Sequence, residues 1–363
     1  MKLRTARTAL VTGGAGFIGS NLSERLLSVS GTQVRIFDNF SREGVRRNLE
    51  WLAQKANGNL EVQEGDIRDP RAVAKAVAGV SEIYHFAAQV AVTSSVEDPA
   101  TDFQTNAAGT LNVLEAARLS GRNPFVLFTS TNKVYGALES LAVTEYGSRY
   151  RPKDLAFTGV NETEPLDFHS PYGCSKGTAD QYVHDYARIY GLPTVVFRMS
   201  CIAGPRQFGN EDQGWVAHLL YSALENKQIA IYGNGFQVRD ILHVHDLIDA
   251  MVKVRAHIDI TRGNIYNVGG GPNRAISLLE MLRAIENETG IPVRRTYGGV
   301  RPGDQPLYIS NTTKLEQHSG WRATRSLSTI LKDIRDFWIA NRSVALSPLR
   351  DTVPGNSSLG VVA

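Results

Sequence analysis

Tyr172, Gly173, Cys174, Ser175 and Lys176 set a phenol and an ammonium four residues apart, which puts both on one face of a helix. Tyrosine titrates near pH 10, so a phenol that takes a proton at neutral pH needs its anion stabilised by roughly 4 kcal/mol. A lysine in a dry site is one source of that stabilisation. A chain with 13 tyrosines meets this spacing by chance, so the pair alone proves little. Thr131 strengthens it, because it stands just past the apolar run Phe125–Ser130. That run reads as a parallel strand, whose carboxyl end meets the following helix at a ligand crevice. A hydroxyl, a phenol and an ammonium converging there suit removal of a proton from a substrate alcohol while its carbon gives up hydride. Thr131, Tyr172 and Lys176 are the candidate catalytic residues.

Such a trio needs a sheet to hold it. From Thr8 to Arg198 short β-branched runs alternate with helical periodicity, the pattern of repeated βαβ units. The strand candidates are Thr8–Thr12, Gln33–Asp38, Leu60–Glu64, Glu82–Phe86, Phe125–Ser130 and Thr194–Arg198. Between them Ile18, Leu22, Leu26 and Val29 share one helical face, as do Phe103, Ala107, Leu111 and Leu114. The fold class is α/β, a doubly wound parallel sheet over 1–198 with a smaller mixed α/β lobe over 199–342, the chain crossing between the two in places. The second lobe is expected to hold short strands near Ile229–Tyr232 and Ile265–Val268, and helices near Asp246–His257 and Ser277–Thr289. The irregular stretch Gly136–Ser170 is long enough to have a function of its own, and 343–363 reads as a flexible tail.

At the other end of the crevice, Thr12-Gly13-Gly14-Ala15-Gly16-Phe17-Ile18-Gly19 follows the first strand and opens the first helix. Gly14, Gly16 and Gly19 have the G-x-G-x-x-G spacing that gives a tight turn, close backbone approach to a pyrophosphate, and close helix–strand packing. The phosphates sit at the positive helix end. Such a string is weak evidence alone, but Asp38 closes the second strand 19 residues beyond Gly19. Its carboxylate accepts from both ribose hydroxyls and repels a 2′-phosphate, which selects NAD over NADP; Arg42, close by, argues the other way. Asp66, after the third strand, is placed to meet the adenine amino group. The cofactor set also takes in Phe17 and Ile18, Asn39, Ser41 and Arg42, and Ile67. Ala87, Gln89 and Asn106 complete it together with Tyr172 and Lys176.

Composition excludes several other classes. With 39 basic and 36 acidic residues the net charge is +3, too even a balance to recruit nucleic acid. The apolar run after Lys2, Arg4 and Arg7 is far too short for a signal peptide, and none reaches the roughly 18 residues of a membrane span. Two cysteines, Cys174 and Cys201, make neither a disulfide framework nor a paired-cysteine metal site. A cytoplasmic protein is expected. His243-x-His245-Asp246 has some look of a metal site, but a strand-to-helix junction explains it, and no metal is expected.

Taken together these strings resemble the extended short-chain dehydrogenase/reductase family, the NAD-dependent epimerases and dehydratases. The resemblance covers about Thr8 to Trp338 and rests on 12–19, Gly-Asp-Ile-Arg at 65–68, His-Phe-Ala-Ala at 85–88, Asn106, Val-Tyr-Gly at 134–136, the Tyr172/Lys176 pair, and Val-Arg-Asp at 238–240. Within the family, three strings resemble the branch that inverts carbon 2 of a CDP-linked sugar. They are Ser-Thr-Asn-Lys-Val-Tyr-Gly at 130–136, Leu-Asp-Phe-His-Ser-Pro-Tyr-Gly-Cys-Ser-Lys-Gly at 166–177, and Arg206-Gln207-Phe208 with Asp212-Gln213-Gly214-Trp215. The resemblance implies that Thr131, Tyr172 and Lys176 are a catalytic triad, that Arg239 and Arg301 grip the nucleotide diphosphate, and that Asp304 contacts its ribose. Two planar guanidiniums suit a pyrophosphate. Thr93, Arg206, Gln207 and Gln213 join the implied substrate contacts.

Sugar 4,6-dehydratases of this family carry an Asp-Glu pair directly after the threonine. Asn132 and Lys133 stand there instead and cannot supply that acid and base, which excludes elimination of water. Both are read as substrate contacts, although Lys133 could equally stand in solvent at a helix edge. His169 either meets a sugar hydroxyl or caps the catalytic helix. The loop Leu138–Glu164 and the apolar Met199 depart from the pattern and leave the sugar open. The reading is an NAD-dependent nucleotide-sugar epimerase, with carbon 2 of a CDP-sugar favoured by the resemblance. The alternatives are a 4-epimerase of a UDP-sugar and an NAD-binding sensor without catalysis. Helices 101–119 and 172–190 carry extra apolar outer residues, among them Val183 and Tyr190, and the family pairs through them; a homodimer or homotetramer is expected.

Overall fold

Apolar runs that alternate sides make a sheet covered on both faces, and the central sheet has that pattern. The computed structural model describes residues 7–42, 44–210, 213–299 and 305–345. The first strands are β1 (Arg7–Thr12), β2 (Thr32–Asp38), β3 (Leu60–Glu64), β4 (Glu82–His85) and β5 (Phe125–Thr131), the last buried at every position. Thr194–Met199 and Asn264–Val268 follow. Across the sheet the order is β3-β2-β1-β4-β5, then Thr194–Met199, then Asn264–Val268 at the edge, and every pairing is parallel. Thr12 therefore pairs with Phe37 on one side and with His85 on the other. The strand order reverses between β1 and β4, and a crevice opens at their carboxyl ends.

Successive β1 side chains enter different cores. Ala9 and Val11 meet Leu22 and Leu26 of α1 (Phe17–Leu27) together with Leu247 and Met251 of the helix Val244–Ala256. Leu10 faces the other layer, where Val113 and Leu114 of Gly109–Leu119 pack with Ala179 and Val183 of Ser170–Tyr190. The second lobe has its own core, in which Leu220, Met281 and Ile334 join the helices Trp215–Leu224, Leu278–Thr289 and Leu327–Ala345 around Ile231. Among the described residues no helix is long and apolar enough to cross a membrane.

Three expectations change here. The strand near Ile265–Val268, expected in the second lobe, pairs with Thr194–Met199 as the sheet's edge, and the helix before it packs beside α1; hydrophobic pattern alone does not say which sheet a short strand joins. Val183 is 0% exposed and belongs to the inner core of its own chain, whereas Tyr190 is 52% exposed on the outer side as expected. The last helix runs through Ser343 to Ala345, so that part of the expected tail is helical, and 346–363 lie outside the described residues. Within 136–170 an antiparallel hairpin forms from Val143–Tyr146 and Arg149–Pro152, and Arg149 ties it to the second lobe through the Ala275 carbonyl at 2.8 Å.

One buried ion pair joins the helix Ser170–Tyr190 to the sheet. Arg198 donates from Nε and Nη2 to the two oxygens of Asp180, both at 2.9 Å, with Asp180 wholly buried. Its Nη1 donates to the Tyr135 hydroxyl at 3.0 Å, which donates in turn to Asn267 Oδ1 at 2.8 Å. Asp180→Ala should lower stability by about 3–5 kcal/mol, because it strands the Arg198 charge in the core. Urea unfolding measures this, and an unchanged midpoint would show that the pair is not desolvated.

Candidate active site

The crevice begins at the β1–α1 turn. Gly13 has φ +66°, and a Cβ there would lie 2.8 Å from the Ala87 nitrogen; at Gly19 it would lie 2.2 Å from the Gly13 carbonyl oxygen. Neither position has room for a side chain. Gly16 caps α1 without a side-chain partner, which leaves the first helix N–H groups to a ligand. Beneath this turn the buried Thr12 hydroxyl meets His85 Nδ1 at 2.7 Å and accepts from the backbone nitrogens of Phe86 and Ala87. His85 Nε2 meets the Thr110 hydroxyl at 3.0 Å, and burial, with the Lys176 charge adding, pulls the ring's pKa down to about 3. A neutral His85 thus locks the switch point. The string His-Phe-Ala-Ala at 85–88 carried part of the resemblance, but nothing in the sequence assigned His85 a role, because its partners come from different elements.

A cavity of about 410 Å³ runs from Asp38, Asn39, Ser41 and Arg42, past Asp66 and Ile67, to Ala87, Gln89, Tyr172 and Lys176. Gly13, Gly16, Phe17, Ile18 and Gly19 line it too. Asp38 accepts from the Ala15 nitrogen at 3.1 Å and from that of Phe40 at 2.9 Å; burial pushes its pKa up, and these bonds and the Arg42 charge pull it down. Asp66 takes two side-chain bonds and one backbone bond from Arg68, which hold its pKa down at about 2, and a fourth from Asn39. Gln89 Oε1 and Ser130 Oγ on the cavity wall are buried without a hydrogen-bond partner. A groove with a carboxylate at one end, free helix N–H groups in its middle and orphaned polar atoms near the other fits NAD.

At that other end Thr131 closes β5 and Tyr172 lies in the first turn of Ser170–Tyr190, both 8% exposed. Ser170 has φ +64°, a conformation that non-glycine residues adopt at a cost and that recurs at functional sites. The Tyr172 nitrogen donates to Ser95 Oγ at 3.1 Å. Burial pushes the phenol's pKa up to about 12; its hydrogen bond with Thr131 and the Arg42 charge pull it down, and Asp102 pushes it up. Lys176, expected to lower the phenol, is not among the groups that do so. Its Nζ donates to the Thr129 carbonyl at 2.6 Å and lies 4.1 Å from the centre of the Phe128 ring. Burial brings its pKa down to about 7 against the fields of Asp180 and Asp102.

A buried network braces this helix. Ser175 donates to Asp102, and Asn106 donates to Asp102, to Ser175 and to the Gln89 carbonyl while accepting from the Gln89 nitrogen at 2.9 Å. Asn106, read as a cofactor contact, is 1% exposed in a π-turn and acts by fixing Gln89.

The substrate candidates separate. Lys133 and Arg239 converge on Cys201: burial pushes the thiol's pKa up, and the hydrogen bond from Trp215 Nε1 at 3.3 Å and the charges of Arg239 and Lys133 pull it back. Cys201 and Trp215 were not singled out as site residues. Asn132 donates to Gln305 Oε1 at 3.4 Å. Gln213 lines the cofactor cavity and accepts from Arg42. Arg206 and Gln207 line a neighbouring cavity instead. Thr93 is exposed on the short helix Val92–Glu97, and His169 is exposed with Nε2 3.6 Å from Asp167, giving no side-chain cap. Arg301 and Asp304 lie outside the described residues.

The His243–Asp246 run is structural. His243 accepts from the His245 nitrogen at 3.0 Å and meets Asp333, and Asp246 accepts from the backbone and side chains of Thr324 and Arg325. Among the described residues no group of three His, Cys, Asp or Glu could hold a metal ion.

The family described as GDP-mannose 4,6 dehydratase matches residues 10–334. The chain is 44% identical over 319 residues to CDP-paratose 2-epimerase of Salmonella typhi, covering 86% of this chain and 93% of that one. It superposes with a TM-score of 0.78 on UDP-glucose 4-epimerase of Thermotoga maritima with UDP-glucose, 28% identical, covering 92% of this chain and 99% of that one. The TM-score is also 0.78 for DesIV, a dTDP-glucose 4,6-dehydratase of Streptomyces venezuelae with NAD and TYD bound, 30% identical, covering 93% and 98%.

The Asp38 geometry yields a test of cofactor choice. Asp38→Ala should weaken NAD by roughly tenfold or more, a hydrogen bond to a charged group contributing about 1.5–3 kcal/mol, and should weaken NADP less. Calorimetric titration of cofactor-stripped protein decides it; equal losses for the two cofactors would remove the role given to this carboxylate.

Proposed function

The chain belongs to the NAD-dependent epimerase/dehydratase family matched above, and from that premise we propose that it inverts carbon 2 of a CDP-linked sugar of the CDP-paratose/CDP-tyvelose type. The observation that carries the reaction type is the run Thr131-Asn132-Lys133. The threonine hydroxyl bonds the phenol, while the next two residues are an amide tied to Gln305 and an ammonium near Cys201. Oxidation and reduction are served, and elimination is not. Support for carbon 2 and for CDP comes from the Salmonella typhi relative.

NAD, when bound, supplies a hydride acceptor that becomes the donor for the return step, and the positive ring that favours the phenolate. The chain's own residues do the rest. Thr131 holds the phenol of Tyr172 against the substrate alcohol, Tyr172 takes the hydroxyl proton, and the same phenol returns it once the ketone has turned its other face. Lys176 keeps positive charge at the dry end of the site, with Asp180 and Asp102 favouring its protonated form. Lys133 and Arg239 supply cations for a diphosphate. We also propose a homo-oligomer, a homodimer or homotetramer, formed through the exposed Phe103, Leu119, Tyr182, Ile189 and Tyr190 of the adjoining helices.

Incubating the purified protein with CDP-paratose, CDP-tyvelose and UDP-glucose, followed by proton NMR, tests the substrate. The two CDP-sugars should interconvert with UDP-glucose unchanged. Conversion of UDP-glucose to its carbon-4 epimer with both CDP-sugars untouched would replace the substrate by the alternative that the UDP-glucose 4-epimerase structures favour. Tyr172→Phe should keep its NAD and lose about 100- to 10,000-fold in turnover, as for removal of a general base. Near-normal rates in that variant would remove Tyr172 from the chemistry.

A further inference from the structure

Beside the cofactor cavity lies a larger one, about 800 Å³, between α2 (Val45–Lys55) and the second-lobe helices Trp215–Leu224 and Leu327–Ala345. Its volume is that of a small-molecule site. Tyr172, Lys176, Lys133 and Arg239 do not line it, so the reaction proposed above leaves it unused. We propose that this cavity is a second nucleotide-binding site, separate from the catalytic one.

Three features of its wall define the ligand. Phe208, Tyr221, Phe337 and Trp338 are aromatic, with Phe208 packed edge-on against Phe337 at 5.7 Å between ring centres and Tyr221 tilted against Trp338 at 6.3 Å. Flat rings of this kind stack with a base. Arg47, Arg206, Lys227 and Arg342 supply cations, and Glu225, which pairs with Lys227, is the one carboxylate among the described lining residues. Arg206 is the most constrained of these. Its guanidinium lies 3.3 Å from the centre of the Trp51 ring and 5.5 Å from that of Phe337, and it makes no ion pair among the described residues. Burial pulls its pKa down to about 10, with the Glu24 charge pulling it back up.

The third feature separates a nucleotide from a simple anion. Asn48 and Gln207 are 1% and 6% exposed, and the amide oxygen of each is buried without a hydrogen-bond partner on this wall. Their nitrogens are occupied, Asn48 by the Ala15 and Arg206 carbonyls and Gln207 by that of Ile202. A buried acceptor left unpaired is costly, and an anion cannot satisfy it. Base amino groups and ribose hydroxyls can. Aromatic rings, four cations against one carboxylate, and orphaned acceptors in one cavity match a nucleoside triphosphate. Gly16, Phe17, Arg42 and Gln213 line both cavities, so the site shares a wall with the cofactor.

The test uses the NAD-loaded protein. Calorimetric titration with ATP, GTP, CTP and UTP, each in the presence of saturating CDP to fill the catalytic site, should find at least one triphosphate binding once per chain. Arg342→Glu and Lys227→Glu, both at exposed positions, should weaken that binding tenfold or more while the NAD content stays unchanged, and inorganic pyrophosphate should bind far more weakly. Absence of binding by all four nucleotides, full displacement by CDP, indifference to both charge reversals, or equal binding of pyrophosphate would each overturn the proposal. Failure of the CDP-sugar assay would leave it standing, because the two charge reversals, at residues that line this cavity and not the catalytic one, still tell binding here from binding there.

Discussion

A lysine ammonium buried to 3% exposure beside a buried phenol is the constraint on which the surrounding structure depends. Removing such a charge from water is expensive unless it is paired and hydrogen-bonded. The chain answers with the Thr129 carbonyl, the face of Phe128 and the fields of Asp180 and Asp102, and the ammonium still titrates near pH 7. Asp180 has a second duty, since it also neutralises Arg198. The carboxylate that helps keep Lys176 charged is therefore the one that locks the helix Ser170–Tyr190 to the sheet.

The same economy of position holds along the crevice. Thr12 lies between β2 and β4 at the point where the strand order reverses, and its hydroxyl organises the turn after β4 through Phe86 and Ala87. Gly13 brings backbone to within contact of that turn, Gly19 packs against Gly13, and Asn106 fixes Gln89 from behind. The cofactor groove is built from backbone held by buried side chains, which suits a site that must keep its ligand through a full oxidation and reduction.

Much of this was legible in the residues. The six strands up to Arg198 could be read because each is a β-branched run at the spacing of a βαβ unit, and the glycine turn, Asp38, Thr131, Tyr172 and Lys176 announce themselves by type and spacing. What could not be read depends on the chain's return. Asn264–Val268 rejoins the sheet after an excursion through the second lobe, and no local pattern records that pairing. Val183 looks outward on a helical wheel until Tyr186 and the strand core close over it. Arg206 and Gln207, grouped with the substrate contacts because of their neighbours in sequence, turn to another cavity where Arg206 stacks on Trp51, a residue more than 150 positions away. The role of Arg42 near Tyr172 was equally hidden, because it rests on the fold bringing the loop after β2 over the catalytic end.

The central claim is that the sugar carbon loses its hydrogen as hydride and recovers the same hydrogen on its other face. A carbon without an adjacent carbonyl has no acidic C–H, so inversion by simple deprotonation is closed to it, and oxidation must come first. The direct measurement follows deuterium placed at carbon 2 of CDP-paratose through conversion in ordinary water, alongside unlabelled sugar in heavy water, by mass spectrometry and proton NMR. The label should remain at carbon 2 of both epimers, and none should enter from heavy water. Loss of the label to solvent, or its uptake from it, would contradict the hydride route.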